Sequence, residues 1–336
     1  MQHKITVVGS GAFGVAIANH LVERGYDVKL LAKNQNVADL INKHHRSDRL
    51  RGISLSEKLK AYTDLSSAFD ESDIIISAIV SHKLRGFLVD TASYWPKNAI
   101  IISASKGLEE DTFDRMSQII IKELGISSKQ VAVLSGPNLA KEIAQGKGSS
   151  SVIASESQET IDICQDLLHS STFRVYTRKD VIGVELCGAA KNVIAIAAGM
   201  CSSANTLLLG ENERAALATR GKEEIKRLGL VLGANAGTFD GLAGVGDIMV
   251  TCTSPASRNY QFGHQVGKGN KPEDVLENIS GEVEGLKTVY PLYGLAKKHN
   301  VRMPIVFAVY GVVTGQITVE QAVNSLMLSG GKPEED

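Results

Sequence analysis

Lys4-Ile-Thr-Val-Val-Gly9-Ser-Gly11-Ala-Phe-Gly14 decides the fold. The apolar, β-branched run reads as a buried strand, and from Phe13 to Arg24 apolar residues recur at helical spacing. Three glycines at G-x-G-x-x-G spacing join the two, which is the dinucleotide fingerprint. Gly9 allows the tight turn, Gly11 lets a pyrophosphate reach the backbone, and Gly14 permits close packing of helix on strand. The helix N-terminus then stabilises the negative charge.

Outward from this unit, strand-like runs continue at Val28–Leu31, Asp73–Ser77, Ile100–Ser103, Val131–Leu134, Ser151–Ala154 and Phe173–Tyr176. Helical patterns separate them at Leu84–Tyr94, Phe113–Leu124 and Thr160–Leu168, with Met116, Ile119 and Ile120 as core positions. Such alternation predicts an α/β domain of Rossmann type over residues 1–180, a doubly wound and mainly parallel sheet. After Asp180 the strand signal fades. Gly183–Ala204, Glu213–Leu228 and Leu286–His299 predict a C-terminal all-α domain over 181–330, followed by a small, charged tail. The charged segment His44–Lys58 is either a lid or a plain connector.

The 336 residues are 43% hydrophobic, enough to bury two cores, and the formal net charge of −1 gives no reason to expect nucleic acid. Cys164, Cys187, Cys201 and Cys252 show neither C-x-x-C nor metal-ligand spacing, so buried reduced thiols are expected and no metal site is. No secretory signal precedes the first strand, and no uncharged apolar run approaches a membrane span. A cytoplasmic protein without membrane insertion is expected.

Several residues carry candidate chemistry. Where an acid would accept from both ribose hydroxyls of NAD, the chain has Leu31-Ala-Lys33-Asn34, and Asp27 stands at the wrong end of that strand. A cation there favours a 2′-phosphate and hence NADP(H), with NAD(H) possible; the plain alternative is a solvated lysine. Ser103-Ala-Ser-Lys106-Gly107 and Leu134-Ser-Gly136-Pro-Asn138-Leu-Ala140 follow strands, where ligands of open α/β sheets bind. The second is equally an ordinary helix entry capped by Asn138. Gly241–Asn259, GLAGVGDIMVTCTSPASRN, gathers Asp247, Thr251, Ser257, Arg258 and Asn259 among small residues and reads as an anion holder for a phosphorylated substrate. Lys191, followed by Asn192, stands in a small, apolar helical stretch where a charge is costly unless used. Burial and nearby cations would bring such a lysine towards proton exchange near neutrality, and Asp247 would oppose that shift while orienting the ammonium group. A Lys–Asp pair that merely joins two elements is the plain reading.

GSGAFG, SASKGL, SGPNLAKE, CGAAKNV, LATRG, the 241–259 block and GEVEG, in this order, resemble the NAD(P)-dependent glycerol-3-phosphate dehydrogenase family, chiefly its bacterial branch, over nearly the whole chain. The resemblance implies reversible reduction of dihydroxyacetone phosphate to sn-glycerol 3-phosphate, feeding glycerophospholipid synthesis, by a homodimer. It implies that Lys191 exchanges the proton, supported by Asp247 and Asn192, and that Lys106 touches both substrate and cofactor. Gly136 would offer a backbone contact to substrate, and Ser257, Arg258 and Asn259 would grip the phosphate. Gly9, Gly11, Ala12, Phe13, Gly14, Lys33, Ala140, Arg258, Glu282 and Glu284 fall at dinucleotide positions. Ala12 replaces a frequent serine, leaving backbone donors there, and Lys287 replaces a frequent arginine, keeping the charge without the fork. The rivals are a related two-domain NADP-dependent reductase of another small carbonyl substrate, of the ketopantoate or sugar-phosphate kind, and a non-catalytic dinucleotide sensor.

Overall fold

The computed structural model describes residues 3–203, 210–279 and 281–327. The sheet-bearing part runs β1 (Lys4–Val8), α1 (Ala12–Glu23), β2 (Asp27–Leu31), α2 (Gln35–His44), β3 (Lys60–Tyr62), α3 (Leu65–Phe69), β4 (Ile74–Ser77), α4 (Ser81–Thr91), β5 (Ile100–Ser103), α5 (Met116–Leu124), β6 (Val131–Ser135), α6 (Ala140–Ala144), β7 (Ser149–Ser155), α7 (Gln158–Leu168) and β8 (Phe173–Arg178). Helices follow: α8 (Val181–Cys201), α9 (Glu211–Val231), α10 (Ala236–Phe239), α11 (Asp247–Thr253), α12 (Arg258–Gly267), α13 (Pro272–Asn278), α14 (Glu284–Lys298), α15 (Pro304–Val313) and α16 (Val319–Met327).

The eight strands lie in the order β3-β2-β1-β4-β5-β6-β7-β8, and every neighbouring pair is parallel except β6·β7. The central strands are apolar on both faces because helices cover both. Ile5, Val7, Leu30, Ile76 and Ile102 join one core, and Val8, Leu31, Ile75, Ile101 and Val131 the other. The strand order reverses across β1 and β4, which is the switch point where such sheets take ligands.

All seven predicted strands form. The edge strand β3 is additional; three residues are too short for alternation to be read. Met116, Ile119 and Ile120 are at most 1% exposed, as expected. The helix expected from Phe113 starts only at Met116, because Phe113 takes a left-handed φ of 62°. His44–Lys58 is tied down as a connector. His45 closes α2 in the left-handed region, Ser56 donates its N–H to Asn19 Oδ1 at 2.7 Å, and Leu50 and Leu55 are buried in the core.

The chain divides into two compact units, one running to Lys106 and resuming over Asp114–Glu185, the other made of Gly107–Phe113 and the chain from Leu186. The division therefore falls inside α8. Glu185 anchors the start of that helix to the start of α5. Its carboxylate accepts from Ser117 N–H at 2.7 Å, Ser117 Oγ at 2.6 Å and Arg115 Nη1 at 2.5 Å. In the second unit Gly107–Phe113 packs on α14, where Gly294 lacks the Cβ that would stand 2.7 Å from the Phe113 ring. The expected helix end at Ala204 and the domain end at 330 lie outside the described residues. By length and composition α8 could cross a membrane, although Glu185 and Lys191 interrupt it, so it is not the uncharged run whose absence the sequence led us to expect. Yet 89% of its most apolar window is buried inside the protein, the position of a core helix.

Candidate functional site

In the first unit the fingerprint folds as its spacing requires. Gly9 has φ of 112°, and a Cβ on it would lie 2.7 Å from the Ala78 carbonyl oxygen; a Cβ on Gly14 would lie 1.9 Å from Gly9 O. Only glycine fits at either position. At Gly11, by contrast, a Cβ would meet nothing within 4 Å. Gly11 N-caps α1 without any side-chain cap, and Ala12, Phe13 and Gly14 open the helix, so the first-turn amides have no acceptor within the helix. This cradle fits a pyrophosphate. Lys33, two residues beyond β2, is exposed, and its N–H donates to Ser10 Oγ at 3.1 Å, which holds the cation beside the glycine turn. Asp27 lies at the opposite end of β2.

Lys106 and Gly136 come together beyond β5 and β6, where Lys106 Nζ donates to Gly136 O at 3.4 Å. Gly136 has φ of 138°, and a Cβ would stand 3.1 Å from Ser151 Cα, so its glycine identity follows from the close passage of β7. Asn138 does not cap a helix. Leu139 is the N-cap of α6, and Asn138 Oδ1 instead accepts from Ser151 Oγ at 2.7 Å. Ala140 opens α6 and packs against the core under α1.

In the second unit Lys191 is 8% exposed and Asp247 fully buried. Lys191 Nζ is ion-paired to Asp247 Oδ1 and donates to Thr251 Oγ1 at 3.1 Å, while Thr251 Oγ1 donates to Asp247 O at 2.6 Å. Asp247 and Thr251 stand one turn apart on α11, so both can meet one ammonium group. Immediately upstream, Leu242–Gly246 forms a π-helical turn, and Gly244 packs so tightly that a Cβ would lie 2.0 Å from Phe239 O. The glycines of GLAGVGD thus include one required by chain packing rather than by a ligand. Cys252, next to Thr251, has its thiol pushed up to about 12 by burial and stays protonated. All four cysteines are buried and take part in no disulfide, in line with their spacing.

A second polar group lies on α8, α12 and α14. Asn192 Nδ2 donates to Glu284 Oε2 at 3.3 Å, and Asn192 Oδ1 accepts from Asn259 Nδ2 at 2.9 Å. Asn259 Oδ1 in turn accepts from Gly285 N–H at 2.9 Å. Ser257 N-caps α12 by accepting from Tyr260 N–H at 3.3 Å, leaving the amides of Arg258 and Asn259 in the first turn. Arg258 is exposed, and Gly281, at φ of 96°, leaves the room its guanidinium uses: a Cβ there would be 2.6 Å from Nη1. A helix N-terminus joined by a hydroxyl and an arginine fork is suited to phosphate. Glu282 is half-buried in the turn before α14, and Lys287 is exposed on that helix. Sequence reasoning missed Glu185, whose only signal is an acid among apolar residues. It also missed that the Asn259 amide is engaged at both ends.

Both parts of the chain match family models. Residues 4–161 match the N-terminus of NAD-dependent glycerol-3-phosphate dehydrogenase, and residues 180–324 match its C-terminus. The chain is 42% identical over 325 residues to a protein of Corynebacterium aurimucosum named glycerol-3-phosphate dehydrogenase [NAD(P)+], covering 96% of this chain and 97% of that one. The crystal structure of a glycerol-3-phosphate dehydrogenase from Coxiella burnetii superposes with a TM-score of 0.91 at 34% identity, over 97% of this chain and 99% of that one. A ketopantoate reductase from Ralstonia eutropha, at 15% identity and a TM-score of 0.60 over 95% of this chain and 99% of that one, shares the fold alone.

Proposed function

The chain belongs to the NAD-dependent glycerol-3-phosphate dehydrogenase family, and from that premise we propose that it reduces dihydroxyacetone phosphate to sn-glycerol 3-phosphate, reversibly, using NADPH by preference and NADH as an alternative. The product is the backbone that glycerophospholipid synthesis consumes. One observation carries the reading: a nearly buried lysine, Lys191, held by Asp247 and Thr251 in an otherwise apolar helix. An ion pair of that kind is costly to bury, and proton transfer to a carbonyl oxygen gives it a use.

The dinucleotide is assigned to the sheet domain, 1–180, and the phosphorylated substrate to the helical domain, 181–330. The first-turn amides at Gly11, Ala12, Phe13 and Gly14 take the pyrophosphate, Lys33 takes the 2′-phosphate, and Lys106, Ala140, Arg258, Glu282 and Glu284 complete the cofactor contacts. Hydride for C2 of the ketone would come from the nicotinamide when it is bound. Lys191 donates its proton to the ketone oxygen as that bond forms, and Asp247 keeps the ammonium group aimed. Lys106 offsets negative charge developing on the oxygen, and Gly136 offers a backbone contact. Ser257, Arg258 and the Asn259 N–H hold the remote phosphate, turning phosphate affinity into orientation of the carbonyl. Asn192 supports both ends, through Asn259 and Glu284. A cytoplasmic homodimer without nucleic-acid or membrane partners completes the reading. The near-neutral net charge and the buried state of α8 support the part of this reading that concerns nucleic acid and membrane, and the homodimer rests on family likeness.

Absorbance at 340 nm with dihydroxyacetone phosphate, run in parallel with NADPH and NADH, tests the reaction. Oxidation that requires the phosphoketone is the expected result, faster with NADPH. Folded protein that binds NADPH but oxidises neither coenzyme would turn the assignment to another carbonyl substrate.

A further inference from the structure

Three neighbouring strands of the sheet end in serine. Ser77, Ser103 and Ser135 are the last residues of β4, β5 and β6, and no step of the proposed reaction uses them. Side chains alternate along a strand, so Ser77 shares a face with Ile75, Ser103 with Ile101 and Ser135 with Val131. Those three apolar residues belong to one core, under Leu84 and Leu88 of α4 and Met116 and Ile119 of α5, which places the three serines on one face. Ser77 and Ser103 are partners in the parallel register. Ser135 stands two residues beyond Val133, the partner of Ser103.

The serines are 0%, 0% and 2% exposed, and none of their hydroxyls has a hydrogen-bond partner among the described residues. Other buried hydroxyls of the same sheet are paired: Thr6 Oγ1 donates to Ala68 O at 2.5 Å, Ser151 Oγ to Asn138 Oδ1 at 2.7 Å and Ser155 Oγ to Val131 O at 2.7 Å. A buried hydroxyl without a partner destabilises a fold, and alanine would fill the same row without that cost. Three of them side by side therefore call for a partner that the chain itself does not provide. Full burial restricts it to a very small molecule, and the row carries no charge to balance an ion. Serine is also shorter than the isoleucines one pleat earlier, which draws the sheet surface back from the covering helices.

Spacing narrows the choice further. Adjacent strands lie about 4.8 Å apart, a gap that one water spans with two ordinary hydrogen bonds, whereas Ser135 is displaced by about 6.6 Å more along its strand. We propose that Ser77, Ser103 and Ser135 hold buried water, one molecule bridging Ser77 Oγ and Ser103 Oγ and a second continuing to Ser135 Oγ. The site lies at the roots of the turns that carry Lys106 and Gly136. It does not depend on the dehydrogenase reading, and its test needs no turnover.

A crystal structure of the whole protein, at a resolution that shows ordered water, tests the arrangement. Density within hydrogen-bond distance of both Ser77 Oγ and Ser103 Oγ is expected, with a second peak reaching Ser135 Oγ. Ser103→Ala tests it by sign. With water bound, the variant loses a hydrogen bond and its urea midpoint falls below that of the native protein; an orphaned hydroxyl is relieved by its removal, and the midpoint rises. In solution, oxygen-17 magnetic relaxation dispersion should show fewer long-lived internal waters in S77A/S103A/S135A than in the native protein. S77A/S103A takes its place if circular dichroism shows the triple variant unfolded. Direct hydroxyl-to-hydroxyl bonds without intervening density, an unchanged or raised midpoint in Ser103→Ala, or an equal number of long-lived waters would each overturn the proposal.

Discussion

Asn192 and Asn259 are joined amide to amide, with Asn259 Nδ2 donating to Asn192 Oδ1 at 2.9 Å, and the free end of each amide reaches α14. Asn259→Ala leaves Gly285 N–H and Asn192 Oδ1 without partners in a buried setting, at about 1–3 kcal/mol each. Urea melts should show that loss of stability, and the Michaelis constant for dihydroxyacetone phosphate should rise. Wild-type stability in this variant would mean the network is relieved elsewhere.

The Lys191–Asp247 pair separates chemistry from fold. Lys191→Ala should lower kcat by about 10²–10⁴-fold, the span general acids contribute, with NADPH affinity by fluorescence titration almost unchanged. Asp247→Ala strands a buried ammonium group and should cost about 3–5 kcal/mol in addition to activity. Full turnover in the Lys191 variant would remove the proton-donor role.

The proposed site gives the 2′-phosphate to Lys33, and coenzyme choice tests that assignment. Lys33→Glu should lower kcat/KM for NADPH at least about tenfold, as expected for losing a charge-assisted contact and adding repulsion, and should spare or improve that for NADH. Parallel initial rates give the ratio; an unchanged ratio would leave Lys33 a solvated lysine.

Glu224 predicts a pH dependence of stability. It is 2% exposed and accepts from Ile305 N–H at 2.7 Å and Val306 N–H at 3.2 Å, capping α15, and burial pushes its carboxyl up to about 7. The folded value exceeds the unfolded one. Its contribution is therefore complete below about pH 4.5 and is lost as pH rises through about 7, by about 3 kcal/mol in all. Glu224→Gln keeps the acceptor without the titration. Between pH 5 and 8 the urea midpoint of the native protein should fall relative to the variant; parallel midpoints would refute the assignment.

Gly263→Ala tests the packing of α12 on α8, since a Cβ would lie 2.0 Å from Ile196 O. Overpacking of this kind costs about 1–3 kcal/mol, and a thermal melt should register it. A Michaelis constant for the phosphoketone that rises alongside would report Arg258 displaced with its helix.

The sheet was legible because its central strands are buried on both faces and announce themselves as runs of Ile and Val, as in Ile74–Ser77 and Ile100–Ser103. Helix α8 was equally clear, with Lys191 conspicuous among alanines. The segment 241–259 was legible in composition but not in form. Small residues admit loop and helix alike, and only tertiary packing against Phe239 makes it a π turn, α11 and the start of α12. Glu224 was hidden for a different reason. It shares a helical stripe with Gly221, Ile225 and Leu228, yet beside Glu223 and among lysines it resembles a solvated face until α15 is laid over it.

The glycine contacts of α12 bear on how this scaffold can change. Gly199, Gly263 and Gly267 bring main chain directly onto main chain, with Cβ positions 2.0–2.5 Å from Tyr260 O, Ile196 O and Met200 O. At Gly199 and Gly263 no layer of side chains lies between the helices, so their spacing there cannot be tuned by swapping one side chain for a larger or smaller one. Lys191 and Asn192 on one helix, and Arg258 and Asn259 on the other, are fixed to each other like marks on a ruler. A descendant that accepts a longer phosphorylated ketone would have to change the turn at Gly281, against which Arg258 rests, and leave the ruler uncut.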